Sequence, residues 1–126
     1  MRRALRDAGL PPEAIDYVNA HGTGTPVGDV AEAGAIARVF GPDIKVSSIK
    51  GAVGHTIAAC GALEAAACIV ALEEGWLPGT TGLEEPDDFP VRLLRTAEEC
   101  AVDHILSNSF GFGGQNGSLV FGRAHA

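Results

Sequence analysis

Residues 57–74 read as one long helix in which apolar and small side chains cover every face: Ala58, Cys60, Leu63, Ala66, Cys68, Ile69 and Val70 leave no polar stripe between them. A helix that is apolar all round must be buried all round. In a chain of 126 residues, one domain by length, a single sheet with helices on its faces would leave one side of that helix wet. A second layer of protein is therefore expected over it, and the small residues would let that layer approach closely. Glu64 is the one charged group between positions 57 and 72. A carboxylate buried there needs a partner or must give up its charge. Lys50 is the candidate partner; the alternative is a place at the helix edge where Glu64 reaches water. The run is also shorter than the roughly 20 apolar residues that a membrane span needs, so no membrane segment is expected.

Helix and strand patterns alternate on either side of this run, which implies an α/β fold over residues 1–126. Residues 1–8 read as the last turns of an amphipathic helix stopped by Gly9 and Pro11-Pro12, so the chain is expected to begin mid-element. Strands are expected at 15–20, 44–48, 104–109 and 118–122. A helix is expected at 29–40, with Asp29 and Glu32 at its positive end and Arg38 near its negative end. Residues 77–90, with three prolines and two glycines, read as loop.

Composition removes several function classes. Nine basic against sixteen acidic residues leave a net charge of −7, which opposes a phosphate backbone, so no nucleic-acid partner is expected. With 46% hydrophobic and 20% charged residues the chain has the material for a packed core. Cys60, Cys68 and Cys100 are odd in number and lack CxxC spacing, which argues against a disulfide framework or zinc knuckle and fits a reducing, cytoplasmic setting. The basic start, Arg2-Arg3, has no apolar run behind it and is no secretory signal.

Chemistry is concentrated in three glycine-rich turns, each at the end of an expected strand. The first is Asn19-Ala20-His21-Gly22-Thr23-Gly24-Thr25-Pro26, the second Ile49-Lys50-Gly51-Ala52-Val53-Gly54-His55-Thr56, and the third Asn108-Ser109-Phe110-Gly111-Phe112-Gly113-Gly114. One histidine after a strand is ordinarily a packing residue; two in matching turns point to a site. A metal is not expected there, because the nearest soft ligand, Cys60, falls in the buried helix and no carboxylate stands at a supporting spacing. A Cys60 nucleophile with His55 as base is disfavoured too: Cys60 lies more than one helical turn beyond His55, and no adjacent cation would lower its pKa. It is expected to pack as a small hydrophobe. Dinucleotide fingerprints fail because their third glycine would fall on Val27 or Asn116, and neither GxxxxGK nor GxSxG occurs. Phe110 and Phe112 among glycines fit a side chain that must swing, with plain hairpin packing as the alternative.

In order and separation, the His-Gly-Thr-Gly-Thr-Pro, Lys-x4-His and Asn-Ser-Phe-Gly-Phe-Gly-Gly elements resemble the C-terminal half of the β-ketoacyl-acyl carrier protein synthases, condensing enzymes of the thiolase superfamily. The resemblance implies a thiolase-like half-domain with a mixed sheet and helices on both faces. It also implies that the domain is truncated at its N-terminal end and incomplete without an N-terminal half, which in that family carries the nucleophilic cysteine. By resemblance, His21 and His55 hold the malonyl thioester carbonyl, and Lys50 pairs with Glu64 to orient the His55 ring and fix its tautomer. Thr23 and Thr25 hydrogen-bond the phosphopantetheine arm, Phe112 acts as gate and oxyanion-hole residue, and Asp29 and Glu32 are structural. The implied reaction is decarboxylative condensation of malonyl-carrier protein with an acyl thioester in fatty-acid or polyketide synthesis. It uses no metal or separate cofactor, because the phosphopantetheine arrives on the acyl carrier protein. The implied partners are that carrier and the N-terminal half or a second subunit, in a homo- or heterodimer. Gln115 and Gly79-Thr80-Thr81-Gly82 depart from the family pattern, which leaves acyl-chain preference open. Two alternatives stand beside this reading: a non-condensing partner subunit of the chain-length-factor type, and a pantetheine-binding remnant. The isolated chain is expected to be inactive.

Overall fold

Alternate residues of the short central strands face opposite sides of one sheet, and each side is covered by helix. A computed structural model describes residues 1–124. In chain order the elements are α1 (Arg2–Ala8), β1 (Tyr17–Asn19), α2 (Pro26–Phe40), β2 (Lys45–Ser47), α3 (Lys50–Val53), α4 (Cys60–Glu74), β3 (Trp76–Leu77), β4 (Arg92–Leu93), β5 (Glu98–Glu99), β6 (His104–Phe110) and β7 (Asn116–Gly122). The main sheet has the order β4-β2-β1-β6-β7, with β7 antiparallel to β6 and the other neighbours parallel. A small antiparallel pair, β3 with β5, stands apart from it. The sheet is therefore mixed, as the resemblance implied.

On one face Val18, Val46 and Leu106 pack with Leu5 of α1 and Ile36 of α2. On the other, Tyr17 and Ile105 pack with Cys68, Ala71 and Leu72 of α4 and with Leu77. Burying a side chain such as Ile36 or Leu72 stabilises the fold by about 1.5–3 kcal/mol, so each face anchors its helix through a few such residues. Polar groups tie the α4 side to the loop beyond it. Ser47 Oγ donates to the Pro78 carbonyl at 2.6 Å, and the Tyr17 hydroxyl lies 2.6 Å from the same oxygen. With its own proton committed to Pro78, Ser47 accepts from Tyr17.

Three expectations are corrected. The helix expected over 57–74 begins at Cys60, after a separate 3-10 turn over Ile57–Ala59. Within the chain one side of this helix is left wet, as expected for a single sheet: Cys60, Glu64, Cys68, Ala71 and Leu72 face inward, while Leu63, Ile69 and Val70 are exposed. The sheet covers one face and no described residue covers the other. Finally, α2 starts at Pro26 rather than at position 29, because proline suits the first helical position, where no amide donor is needed. The two-residue strands β3, β4 and β5 are too short to carry a period, and β3 claims Leu77 from the expected loop.

Candidate active site

Asn19, the last residue of β1, is the registered partner of Ser47, the last of β2, and of Ser107 on β6, which runs on to Phe110. The three glycine-rich turns follow from these strands and meet there, His21 of the first lying against His55 of the second and Phe110 of the third, at the carboxyl end of the sheet where ligands usually bind in a parallel α/β fold.

The first turn is held from inside by Glu32. Its carboxylate accepts the His21 amide on Oε1 and the Gly22 amide on Oε2, each at 2.9 Å, and Asn108 Nδ2 donates to Oε1 at 3.1 Å. Burial raises the Glu32 pKa, and these three donors work against that rise. Gly22 has a φ of 42°, and a Cβ there would lie 2.7 Å from the Ser48 Cβ, so only glycine fits where the first turn crosses the second. Ser48 Oγ completes the crossing by donating to the Gly22 carbonyl at 3.2 Å.

Lys50, at the start of α3, forms an ion pair with Glu64 on α4. Their side chains are 6% and 1% exposed, so Glu64 does not reach water at a helix edge. The second carboxylate oxygen accepts from Ser109 Oγ at 3.0 Å. Both oxygens are thus engaged, as a buried charge requires. Ser109 comes from the third turn, so this pair joins the second and third turns as Glu32 joins the first and third.

His21 and His55 meet edge to face, with ring centroids 5.7 Å apart and planes at 89°. Phe110 approaches His21 from another side at 5.6 Å. Burial lowers the His21 pKa, and the Lys50 charge lowers it further; His21 is therefore neutral at pH 7. Its Nδ1 is buried and has no hydrogen-bond partner among the described residues.

His55 corrects two expectations. Cys60 is not remote from it: Sγ lies 3.2 Å from His55 Nδ1. Spacing along a continuous helix would separate the two, but Ile57 adopts φ 53° and the chain folds back through the 3-10 turn. A β-branched residue in that region is a true outlier. The ring orientation also has a different source from the one the resemblance implied. Nδ1 receives the Ile57 backbone N–H at 3.2 Å, whereas Lys50 is committed to Glu64.

A cleft of about 350 Å³ opens beside these groups, lined by Thr23, Lys50, His55, Thr80, Thr81 and Leu83, among others. A Cβ at Gly51 would collide with the Thr81 carbonyl, so glycine there brings the 79–82 loop against α3. Thr23 and Thr25 face each other at the rim, hydroxyl oxygens 3.4 Å apart. Phe112 is fully exposed on the third turn, and the phenylalanine that reaches the histidines is Phe110. Among the described residues no three His, Cys, Asp or Glu side chains are grouped as metal ligands would be.

Residues 1–84 match the family described as beta-ketoacyl synthase, C-terminal domain. The chain belongs to the β-ketoacyl synthase family. It is 46% identical over 131 aligned positions to 3-oxoacyl-[acyl-carrier-protein] synthase 2 of Coxiella burnetii, an alignment that covers 98% of this chain and 31% of that protein. The crystal structure of a beta-ketoacyl synthase from Burkholderia phymatum matches with a TM-score of 0.96 and 47% identity, over 99% of this chain and 31% of that one. The ishigamide ketosynthase/chain length factor matches with a TM-score of 0.94 and 38% identity, over 98% and 32%. The chain thus spans about three tenths of the length of these ketosynthase relatives. Those three matches establish the thiolase-like fold of the segment. The site described above is assembled from residues of this segment. Serine and asparagine residues behind the turns, Ser109 and Asn108, complete it; the sequence marks them only as members of the third motif.

Proposed function

We propose that this chain is the C-terminal part of a β-ketoacyl-acyl carrier protein synthase and supplies both histidines for decarboxylative condensation. The observation that carries the reading is the edge-to-face meeting of His21 and His55 beside the buried Lys50–Glu64 pair. In this reading a cysteine thiolate outside these residues takes the acyl group from its carrier. Malonyl-carrier protein then binds, with its pantetheine arm along Thr23 and Thr25. As carbon dioxide leaves, the malonyl thioester oxygen gains charge, and neutral imidazole N–H donors of His21 and His55 stabilise it. The enolate carbon attacks the acyl thioester and expels the cysteine thiolate. Preorganised donors of this kind contribute about 3–4 kcal/mol each. Burial, helped by the Lys50 charge, keeps His21 neutral, and Phe112 serves as the gate on the third turn. The bare face of α4 at Leu63, Ile69 and Val70 supports a covering layer from an N-terminal half or a second subunit.

Of the two alternatives, the chain-length-factor type has support from the ketosynthase/chain length factor match. Retention of His21, His55 and Lys50 favours the condensing reading over it. The separating experiment is acylation by radiolabelled acyl-carrier protein followed by malonyl-carrier protein. The 126-residue chain alone is expected to form no acyl-enzyme and no product, whereas the complete synthase forms both. A complete protein that never acylates would favour the partner-subunit alternative.

A further inference from the structure

A Cys–His contact inside a reactive site ordinarily marks an activated thiolate, and here three hydrogen bonds argue for the opposite polarity. The Ile57 backbone N–H donates to His55 Nδ1 at 3.2 Å. A backbone amide has no other role available to it, so Nδ1 is the unprotonated nitrogen and the ring proton sits on Nε2. Cys60 Sγ reaches the same Nδ1 at 3.2 Å, and with Nδ1 lacking a proton the thiol must be the donor. Thr56 Oγ1 donates to Sγ at 3.4 Å, which fills the acceptor side of the sulfur. Cys60 is only 6% exposed, whereas the His55 side chain stands at the surface.

We infer that Cys60 is a positioning residue whose S–H, directed by Thr56, is the second donor holding His55 in the Nε2–H tautomer. The chain is Thr56 hydroxyl to Cys60 thiol to His55 Nδ1, and the outward Nε2–H is what it delivers. The catalytic meaning of that proton rests on the reading given above, in which His55 donates to the developing oxyanion. The contact itself does not depend on it.

The test reads the tautomer directly, by nitrogen NMR of the histidine rings in the 126-residue chain above pH 7.5. The parent is expected to show His55 as Nε2–H. Cys60→Ala is expected to lower the Nε2–H to Nδ1–H ratio by about three- to tenfold, the weight of one hydrogen bond. Cys60→Ser, which keeps a donor at that position, is expected to restore it. Thr56→Val leaves the cysteine in place and removes the hydroxyl that directs it, and is expected to shift the ratio the same way by less. A parent His55 carrying its proton on Nδ1, an unchanged ratio in Cys60→Ala, or a fall that serine does not restore would each overturn the assignment. In the complete synthase, Cys60→Ala is expected to lower malonyl decarboxylation kcat by about three- to tenfold with KM unchanged. A tautomer shift without that loss would leave the positioning role standing and count against the oxyanion role of His55.

Discussion

Asn108 on β6 donates its side-chain amide to the Glu32 carboxylate 3.1 Å away, and that carboxylate holds the backbone of His21. The strand of the third turn thereby fixes the histidine of the first. Replacing Glu32 by glutamine leaves one acceptor oxygen for two backbone donors, because the amide nitrogen cannot accept. An unpaired buried donor costs about 1–3 kcal/mol, so Glu32→Gln is expected to lower the unfolding free energy by that amount, read as a lower urea midpoint. An unchanged midpoint would mean that water or a shifted backbone satisfies the Gly22 amide equally well.

The buried pair is expected to behave asymmetrically. Lys50→Met alone strands the Glu64 carboxylate beside Ser109 and should cost about 3–5 kcal/mol. Lys50→Met with Glu64→Leu removes both charges and should recover most of that loss. Chemical denaturation of the two variants and the parent gives the comparison. A double variant as unstable as the single one would show that the cost lies in packing rather than in the stranded charge.

Ile57 is strained where it stands. A non-glycine residue at φ 53° costs about 1–3 kcal/mol, and glycine in its place costs roughly 0.5–1 in chain entropy. Ile57 is also 81% exposed, so little packing is lost. Ile57→Gly is therefore expected to raise thermal stability, by about 1 kcal/mol. A drop would show that the isoleucine side chain is needed for the turn.

How much of this was legible in the sequence follows from where each contact lies along the chain. The strand ends and the three turns were readable, because apolar runs stop at glycine and polar residues there. Lys50 with Glu64 was readable as well, since a charge in an apolar helix has few partners to choose from. Cys60 beside His55 was not, because it depends on a single positive φ at Ile57 that no periodicity marks. The hold of Asn108 on Glu32 spans β6 and α2 and follows only from sheet order. The bare outer face of α4, by contrast, was readable, because a helix apolar all round on a single sheet must leave one side uncovered.

Protonation of His21 should be shifted to low pH. Burial and then Lys50 lower its pKa below the ordinary 6.5. Between that lowered value and 6.5 the unfolded chain binds more protons than the folded one, so His21 makes stability rise with pH across the window. Its penalty is complete below the window and absent above it. NMR titration should show the midpoint below 6.5, and Lys50→Met should move it upward. A midpoint at or above 6.5 would remove the reason for expecting a neutral ring.

The central claim is that His21 and His55 both serve the decarboxylation step, and release of labelled carbon dioxide from malonyl-carrier protein tests it most directly. In the complete synthase, His21→Ala and His55→Ala are each expected to slow that release by about 100- to 1,000-fold, while acylation of the nucleophilic cysteine falls much less. Either variant releasing carbon dioxide at the parent rate would contradict the claim.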